Sequence, residues 1–343
     1  MMTPSYYKCA LFEKDVKDLS FFEFTQDEVI FDKYIQGDKV SFKKCVVDYK
    51  VSFLPSDSID DNKVPLLLPI KDMPDLLKFT IGKLKLHEVN KHCNIIVIDD
   101  RSSPEIKSIC DEHPDISYVR VDNEKGFNYS NLINIGAYIA KMLGFTQVIT
   151  WNSDMWPSNS STVPELIKRH NNSKCTISGT KLLYPLESWN GEEVTKNINY
   201  HFPSEKETFR GTVQYGGSLL VPFGKTMTTS HMKRFGDPNS PIVNQDYATL
   251  FVTGAYSLIE LEWLISSGGL NPSLSKIFND SDMCLRAVED NETVMYFGKD
   301  LFLNHDESVN LSNENKIDKQ FNSDATLYSK IWSLDRIMRL ITK

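Results

Sequence analysis

The residues of this chain best suited to chemistry are carboxylates at the ends of apolar runs. Ile96-Val97-Ile98 leads directly into Asp99-Asp100, and Val148-Ile149-Thr150-Trp151 into Asn152-Ser153-Asp154. Where such runs are strands of an open α/β sheet, ligands bind in the crevice beyond their carboxyl ends. A carboxylate at Asp99 or Asp100 can accept the N3–H of a uracil or thymine ring. Cytosine lacks that proton and adenine has no equivalent, so a carboxylate there would select the base. Asp154 can ligate a divalent cation through oxygen. Mg2+ takes one or two protein carboxylates and completes its shell with phosphate oxygens and water, so a single Asp is enough where a diphosphate is bound. Either cluster taken singly has an equally good structural explanation, as a carboxylate capping the next turn or helix. Two clusters at two strand ends are less easily explained that way.

The elements that must hold these carboxylates alternate between strand and helix from Val64 onward, the pattern of a mainly parallel α/β sheet flanked by helices. Strands are expected at 64–70, 94–98, 116–121 and 148–151, with a helix over 74–86 that has Pro at its first turn. Asn128 can cap a helix with the apolar face Leu132, Ile133, Gly136, Ala140 and Leu143. In it, Gly136, Ala137 and Ala140 are packing residues that let the helix approach the sheet. Residues 157–250 are rich in Asn, Ser, Gly and Pro, with a helix near 163–170 and strands near 175–183 and 213–221. Residues 251–265 read as a strand entering a helix, Gly268-Gly269 as a break, and a new helix starts near Asp280. The tail, 324–343, reads as one amphipathic helix with Leu327, Ile331, Leu334, Ile337 and Ile341 on one face. Residues 1–62 are β-rich and separate in character: Cys45, Val47, Tyr49, Val51 and Phe53 alternate with Val46, Asp48, Lys50 and Ser52, shorter strands fit 21–24 and 29–35, and 55–62 is a polar linker.

Composition bounds the partners. The chain has 343 residues, 41% apolar and 24% charged, an ordinary soluble balance. A net charge of -8 argues against nucleic acid as the main ligand, while a local basic patch leaves peripheral contact with a membrane or an anionic acceptor open. The first residues carry no apolar leader core, and no run approaches ~18 uncharged apolar residues, so a cytoplasmic protein, peripheral at most, is expected. Six scattered cysteines (Cys9, Cys45, Cys93, Cys110, Cys175, Cys284) lack metal-site spacing and read as reduced thiols. The oligomeric state is not legible.

Taken in order, the apolar strand 64–70, Asp99-Asp100-Arg101-Ser102-Ser103, Gly126, Asn131, Asn134-x-Gly136 and Asn152-Ser153-Asp154 resemble the family 2 glycosyltransferases with the GT-A fold. The resemblance continues through Thr253-Gly254-Ala255, Gly268-Gly269-Leu270-Asn271 and Phe278-Asn279-Asp280-Ser281-Asp282-Met283-Cys284-Leu285-Arg286 to His305, covering about 64–306. Gly-Gly followed by an acidic segment and Leu-Arg is most similar to the rhamnosyltransferase-like branch. The resemblance implies an inverting transfer of sugar from a nucleoside-diphosphate sugar, UDP- or dTDP-linked, to a saccharide or lipid-linked saccharide in glycan synthesis. It implies Asp99 and Asp100 at the base, Asn152 and Asp154 at the diphosphate, Asp154 and His305 at a divalent metal (Mn2+ or Mg2+), and Asp280 as general base. The domain plan that follows is a 1–62 accessory segment, a 63–306 transferase domain with a nucleotide half (63–156) and an acceptor half (157–306), and a 307–343 helical tail.

Those roles are chemically coherent. An acceptor hydroxyl attacking opposite the leaving diphosphate needs one carboxylate to take its proton. The leaving group needs charge neutralisation, which a metal supplies. Structural explanations stand beside each role: Asp280 as an N-cap, Arg286 as an ion-pair partner, His305 as a surface residue. Three residues depart from the family pattern: Asn152 at the first acidic position, Asn279 where many relatives carry Glu, and Arg101 in place of a small residue. They leave a non-catalytic relative as an alternative. A nucleotidyltransferase is the other, and it is disfavoured because Pro69-Ile70-Lys71-Asp72-Met73 lacks a glycine-rich phosphate loop. On the acceptor side, Gln214, Tyr215, Gly216 and Gly217 form the most attractive segment, since glycines let a backbone approach a ligand. Trp156, Trp189, Tyr200, His201 and Trp263 are further aromatic or polar candidates.

Overall fold

The computed structural model describes residues 21–36, 39–122, 126–190, 210–306 and 314–342. It begins with a long antiparallel hairpin of β1 (Phe21–Gln36) and β2 (Lys39–Leu54). The two short strands expected at 21–24 and 29–35 are one strand, with a register irregularity between Phe31 and Ile35. Next come β3 (Val64–Ile70), α1 (Pro74–Leu86), β4 (Cys93–Asp99), α2 (Pro104–Asp111), β5 (Ile116–Asp122), α3 (Tyr129–Met142) and β6 (Gln147–Trp151). The strands β5-β4-β3-β6 lie side by side and parallel. Leu66, Leu67, Leu68 and all of β4 are buried, because helices cover both faces of a parallel block and its strands therefore read as unbroken apolar runs. β2 pairs antiparallel with β5 at the edge, and Tyr49, Val51 and Phe53 face the core while Lys50 and Leu54 are exposed.

The rest of the chain extends this block. It comprises β7 (Met155–Pro157), α4 (Thr162–Ser173), β8 (Ile177–Thr180), β9 (Leu182–Leu183), β10 (Val213–Tyr215), β11 (Ser218–Phe223), β12 (Thr226–His231) and β13 (Asp246–Ala248). Then follow β14 (Tyr256–Glu260), α5 (Leu261–Ser266), α6 (Asn279–Glu289), β15 (Val294–Phe297), β16 (Leu303–His305), α7 (Glu314–Ile331) and α8 (Leu334–Ile341). Beyond β6 the main sheet continues β14-β8-β15-β13, with only β8 and β15 parallel. A second sheet, β10-β9-β16-β7, closes over the carboxyl edge, and β11 with β12 forms a separate hairpin.

Three expectations need correction. The strand expected at 213–221 is broken at Gly216-Gly217, where Gly217 has a φ of 102°. The strand expected from 251 starts at Tyr256. The tail is two helices parted at Trp332-Ser333, with Ser333 capping α8. That break leaves Leu334 and Ile341 exposed, while Tyr328, Ile331, Trp332, Ile337 and Leu340 pack with Leu274 and Leu285. Cys93, Cys110, Cys175 and Cys284 are buried free thiols, whereas Cys9 and the Cys45 side chain lie outside the described residues. Among the described residues no helix is long and apolar enough to cross a membrane.

One glycine fixes how α3 meets the sheet. A Cβ at Gly136 would stand 2.5 Å from Ile98 Cδ1 and 3.0 Å from Leu67 Cδ2, so a larger residue there would force these side chains of β3 and β4 to shift. Residues 130–140 of α3 are buried all round, so the helix has no side on which to relieve a clash. Gly136→Val is expected to overpack this contact and to cost about 1–3 kcal/mol, read as a lower denaturant midpoint.

Candidate active site

The site is built where β6 ends. Asn152 N–H donates to Ala255 O at 3.0 Å and Met155 N–H to Asn152 O at 3.2 Å, turning the chain from β6 into β7. β7 pairs antiparallel with β16, placing His305 opposite Met155, and Asp306 N–H donates to Asp154 O at 2.9 Å. This register brings His305 Nε2 within 3.2 Å of Asp154 Oδ1 and 3.5 Å of Asn152 Nδ2. Both Asp154 and His305 are buried, so His305 is not a surface residue. Asp306 is buried too, and its Oδ2 accepts from Ser188 Oγ at 2.6 Å and Trp189 N–H at 3.1 Å.

Asp154 Oδ2 is buried and accepts no hydrogen bond among the described residues. A desolvated carboxylate oxygen left in that state is costly, and a cation is the partner that would satisfy it. The donor set therefore fits a divalent metal: one carboxylate and one imidazole on a shared face. Among the described residues no three His, Cys, Asp or Glu side chains cluster in metal-binding geometry. Most of the shell would thus fall to phosphate oxygens and water, and the imidazole favours Mn2+ over Mg2+.

Asp280 lies in the first turn of α6, one residue inside the helix rather than at its N-cap, which is Phe278. Its Oδ2 accepts from Gly254 N–H at 2.9 Å and its Oδ1 from Ser281 N–H at 2.7 Å. Burial pushes the carboxyl above its ordinary range, and the amides of Gly254 and Ser281 oppose that rise. A Cβ at Gly254 would stand 3.0 Å from Asp280 Cβ, so the glycine permits the approach. Gly254 O accepts from Tyr129 Oη–H at 2.8 Å and from Thr150 Oγ1–H at 3.2 Å. Burial, with the charges of Asp280 and Asp154 adding to it, keeps the Tyr129 phenol protonated. One hydroxyl thus lies within electrostatic reach of both carboxylates. Neither Tyr129 nor Thr150 stood out in the sequence, since a Tyr in a first helical turn and a Thr in a buried strand carry no pattern.

The neighbours of Asp280 are structural. Asn279 Nδ2 donates to Leu274 O at 3.3 Å. Arg286 donates to Asp282 Oδ2 at 2.9 Å, Ser267 O at 3.0 Å and Gly269 O at 2.7 Å, while Trp332 Nε1–H donates to Asp282 Oδ1 at 2.9 Å. Asn134 closes the same loop from α3, accepting from Leu270 N–H at 2.7 Å and donating to Leu270 O at 2.8 Å.

At the end of β4, Asp99 is fully buried and engaged within the protein. Its Oδ1 accepts from Ser102 N–H at 2.9 Å, and its Oδ2 from Tyr118 Oη–H at 2.5 Å and Arg120 Nη1–H at 3.2 Å. Asp100 is buried as well, with Lys71 Nζ 3.4 Å from its Oδ2 and 2.7 Å from its carbonyl oxygen. Lys71 directly follows β3, between the Asp100 and Asp154 ends of the sheet, and the sequence did not single it out. On the acceptor side, Tyr215 is wholly buried, its hydroxyl 2.9 Å from Ser218 Oγ and 3.1 Å from Phe251 O. A Cβ at Gly216 would stand 2.5 Å from Val243 Cγ1, and Gly217 packs on Tyr247, so contacts within the protein account for both glycines. Gln214 is buried, and its Oε1 accepts no hydrogen bond among the described residues. Trp156 packs edge-on against Phe79, and Trp263 Nε1–H donates to Asp290 Oδ2 at 3.1 Å, so both serve packing. Tyr200 and His201 lie outside the described residues.

A mixed sheet whose parallel block ends in this acidic edge is the GT-A fold. A crystal structure of GalNAc-T7 with UDP, GalNAc and Mn2+ shares it, with a TM-score of 0.51 and 14% identity over 72% of this chain and 44% of that one. The mannosyltransferase PcManGT from Pyrobaculum calidifontis, in complex with GDP-Man and Mn2+, aligns at a TM-score of 0.47 and 12% identity over 78% of this chain and 64% of that one. Residues 67–232, just under half of the chain, match the model of glycosyl transferase family 2. It is 23% identical over 227 residues to the O-antigen biosynthesis protein RfbC of Myxococcus xanthus, a match covering 65% of this chain and 16% of that protein. The chain thus corresponds to a small part of that relative.

The internal engagement of Asp99 has a measurable consequence. Tyr118→Phe removes a hydrogen bond to a buried carboxylate and is expected to cost about 1.5–3 kcal/mol in denaturant unfolding. A stability unchanged by Tyr118→Phe would mean that Asp99 is free to serve a ligand.

Proposed function

We propose that the chain is an inverting, divalent-metal-dependent glycosyltransferase using a nucleoside-diphosphate sugar. The observation that carries this reading is the buried, unsatisfied Asp154 Oδ2 beside His305, with the carboxylate of Asp280 across the Gly254 peptide. Asp154 and His305 would hold the metal, which when bound neutralises charge on the leaving diphosphate. Asn152 adds a neutral amide at the same edge. Asp280 takes the proton of the acceptor hydroxyl as it attacks the anomeric carbon, and the desolvation that raises its pKa makes it a stronger base than an exposed aspartate. A single displacement needs one base and no covalent nucleophile.

Base recognition falls to Asp100 and Lys71, because Asp99 is occupied by Tyr118, Arg120 and Ser102. An Asp100 carboxylate that accepts N3–H would select a UDP- or dTDP-sugar donor. Residues 63–156 would carry the donor and 157–306 the acceptor, with 1–62 and 307–343 as accessory parts. The acceptor we assign is a saccharide or lipid-linked saccharide in glycan synthesis, at the cytoplasmic side and at most peripheral to the membrane. The name of the RfbC relative, an O-antigen biosynthesis protein, supports the glycan-synthesis part of that reading. The likeness to a rhamnosyltransferase-like branch rests on Gly268-Gly269 and Leu285-Arg286, which here form a structural clamp, so it does not name the sugar.

Asp280→Asn is expected to lower kcat by about 10²–10⁴-fold, the ordinary worth of a general base, with donor affinity kept. The working form is the ionised carboxylate, so kcat/KM should fall as pH drops through the Asp280 pKa, which lies above the ordinary value of 3.8. Sugar transfer or donor hydrolysis that survives Asp280→Asn unaltered would remove Asp280 as the base.

A further inference from the structure

Tyr129 does more than occupy the first turn of α3. Its backbone and both neighbours are tied to the segment leading into α6: Tyr129 N–H donates to Ser275 O at 3.0 Å, Ser130 Oγ–H to Leu274 O at 2.8 Å and Asn128 Nδ2–H to Pro272 O at 2.8 Å. The half-buried ring is therefore aimed by contacts that do not involve its hydroxyl. The hydroxyl instead donates to Gly254 O at 2.8 Å, and the N–H of that same residue donates to Asp280 Oδ2 at 2.9 Å. Thr150, two residues before Asn152 on β6, gives Gly254 O a second donor at 3.2 Å, and Thr150 Oγ1 is itself fixed by Ser257 N–H at 3.0 Å.

We propose that Tyr129 is a positioning residue for Asp280: its hydroxyl fixes the Gly254 residue whose N–H orients the base's carboxylate. The proposal rests on the reading of Asp280 as the base. Its physical content is that hydrogen bonds in series polarise one another, so a donor on the Gly254 carbonyl helps hold the loop that presents the Gly254 amide. A hydrogen bond to the charged form of a carboxylate favours that form. Loosening Gly254 should leave Asp280 both less well oriented and more readily protonated. The charge of Asp154 acts on the same hydroxyl.

The test is a pH titration of the Asp280 side-chain carbon by NMR in protein labelled at aspartate carboxyls, with Asp280→Asn identifying the resonance. Tyr129→Phe, which keeps the ring, should move the Asp280 titration to higher pH. Thr150→Val, which removes the other hydroxyl on the same carbonyl, should move it in the same direction and stands in should Tyr129→Phe not fold. UDP release from UDP-glucose with Mn2+ should fall about three- to tenfold in kcat for Tyr129→Phe with KM unchanged, the effect of one neutral hydrogen bond. An Asp280 titration unmoved in both variants overturns the proposal, as does a lower kcat accompanied by an unmoved titration. If Asp280→Asn releases UDP as fast as the native protein, the base reading itself fails, whatever the NMR titrations show.

Discussion

The antiparallel pairing of β7 with β16 sets His305 opposite Met155, and through it Asp154 gains an imidazole 3.2 Å from one carboxylate oxygen while the other stays buried and unsatisfied. A slip of one residue in that register would turn His305 to the opposite face and leave Asp154 alone. The pairing is held at its end by Asp306, whose amide binds the Asp154 carbonyl and whose carboxylate anchors Ser188 and Trp189. The buried block β5-β4-β3-β6 supplies the other half of the constraint, since it fixes where the chain leaves β6 and turns into Asn152. The site is the meeting of a rigid parallel sheet with a small sheet that closes over its carboxyl edge.

Two carboxylates at that edge have different surroundings, and the difference suits them to different tasks in the proposed reaction. Asp154 faces an imidazole and an amide side chain, a polar setting suited to a cation. Asp280 is half-buried, held by two backbone amides and raised in pKa by burial, a setting suited to taking a proton. Gly254 stands between them, its amide towards Asp280 and its carbonyl towards Tyr129 and Thr150.

Much of this was legible in the sequence, for identifiable reasons. The runs 64–70 and 95–98 are apolar at every position because both faces are covered, and Asp99-Asp100 at the end of the second marks the edge of the sheet. Alternation from Tyr49 to Phe53 reports a strand with one face on the core, although not that it joins β5. Gly136 and Arg286 have the structural roles that their types suggested. What the sequence could not convey is long-range register: nothing local tells that His305 lies against Met155, or that Tyr129 reaches Gly254. It also misled where glycines were concerned. Gly216 and Gly217 look like a ligand-facing backbone, but Val243 and Tyr247 fill the space their missing side chains leave. The tail helix failed differently, because period alone cannot show that Ser333 starts a new cap after Trp332 has turned inward to Asp282.

That Asp154 and His305 hold a metal together with a nucleoside diphosphate is tested most directly by thermal unfolding with UDP, dTDP and GDP, each with and without Mn2+, on the native protein and on His305→Ala. A ligand that binds only the folded state stabilises it by mass action, by about 2.7 kcal/mol at a hundredfold excess over Kd. The site described here requires a rise in midpoint with UDP or dTDP that depends on Mn2+ and is lost in His305→Ala. No shift with any nucleotide under either metal condition, or a shift that His305→Ala leaves intact, would contradict it.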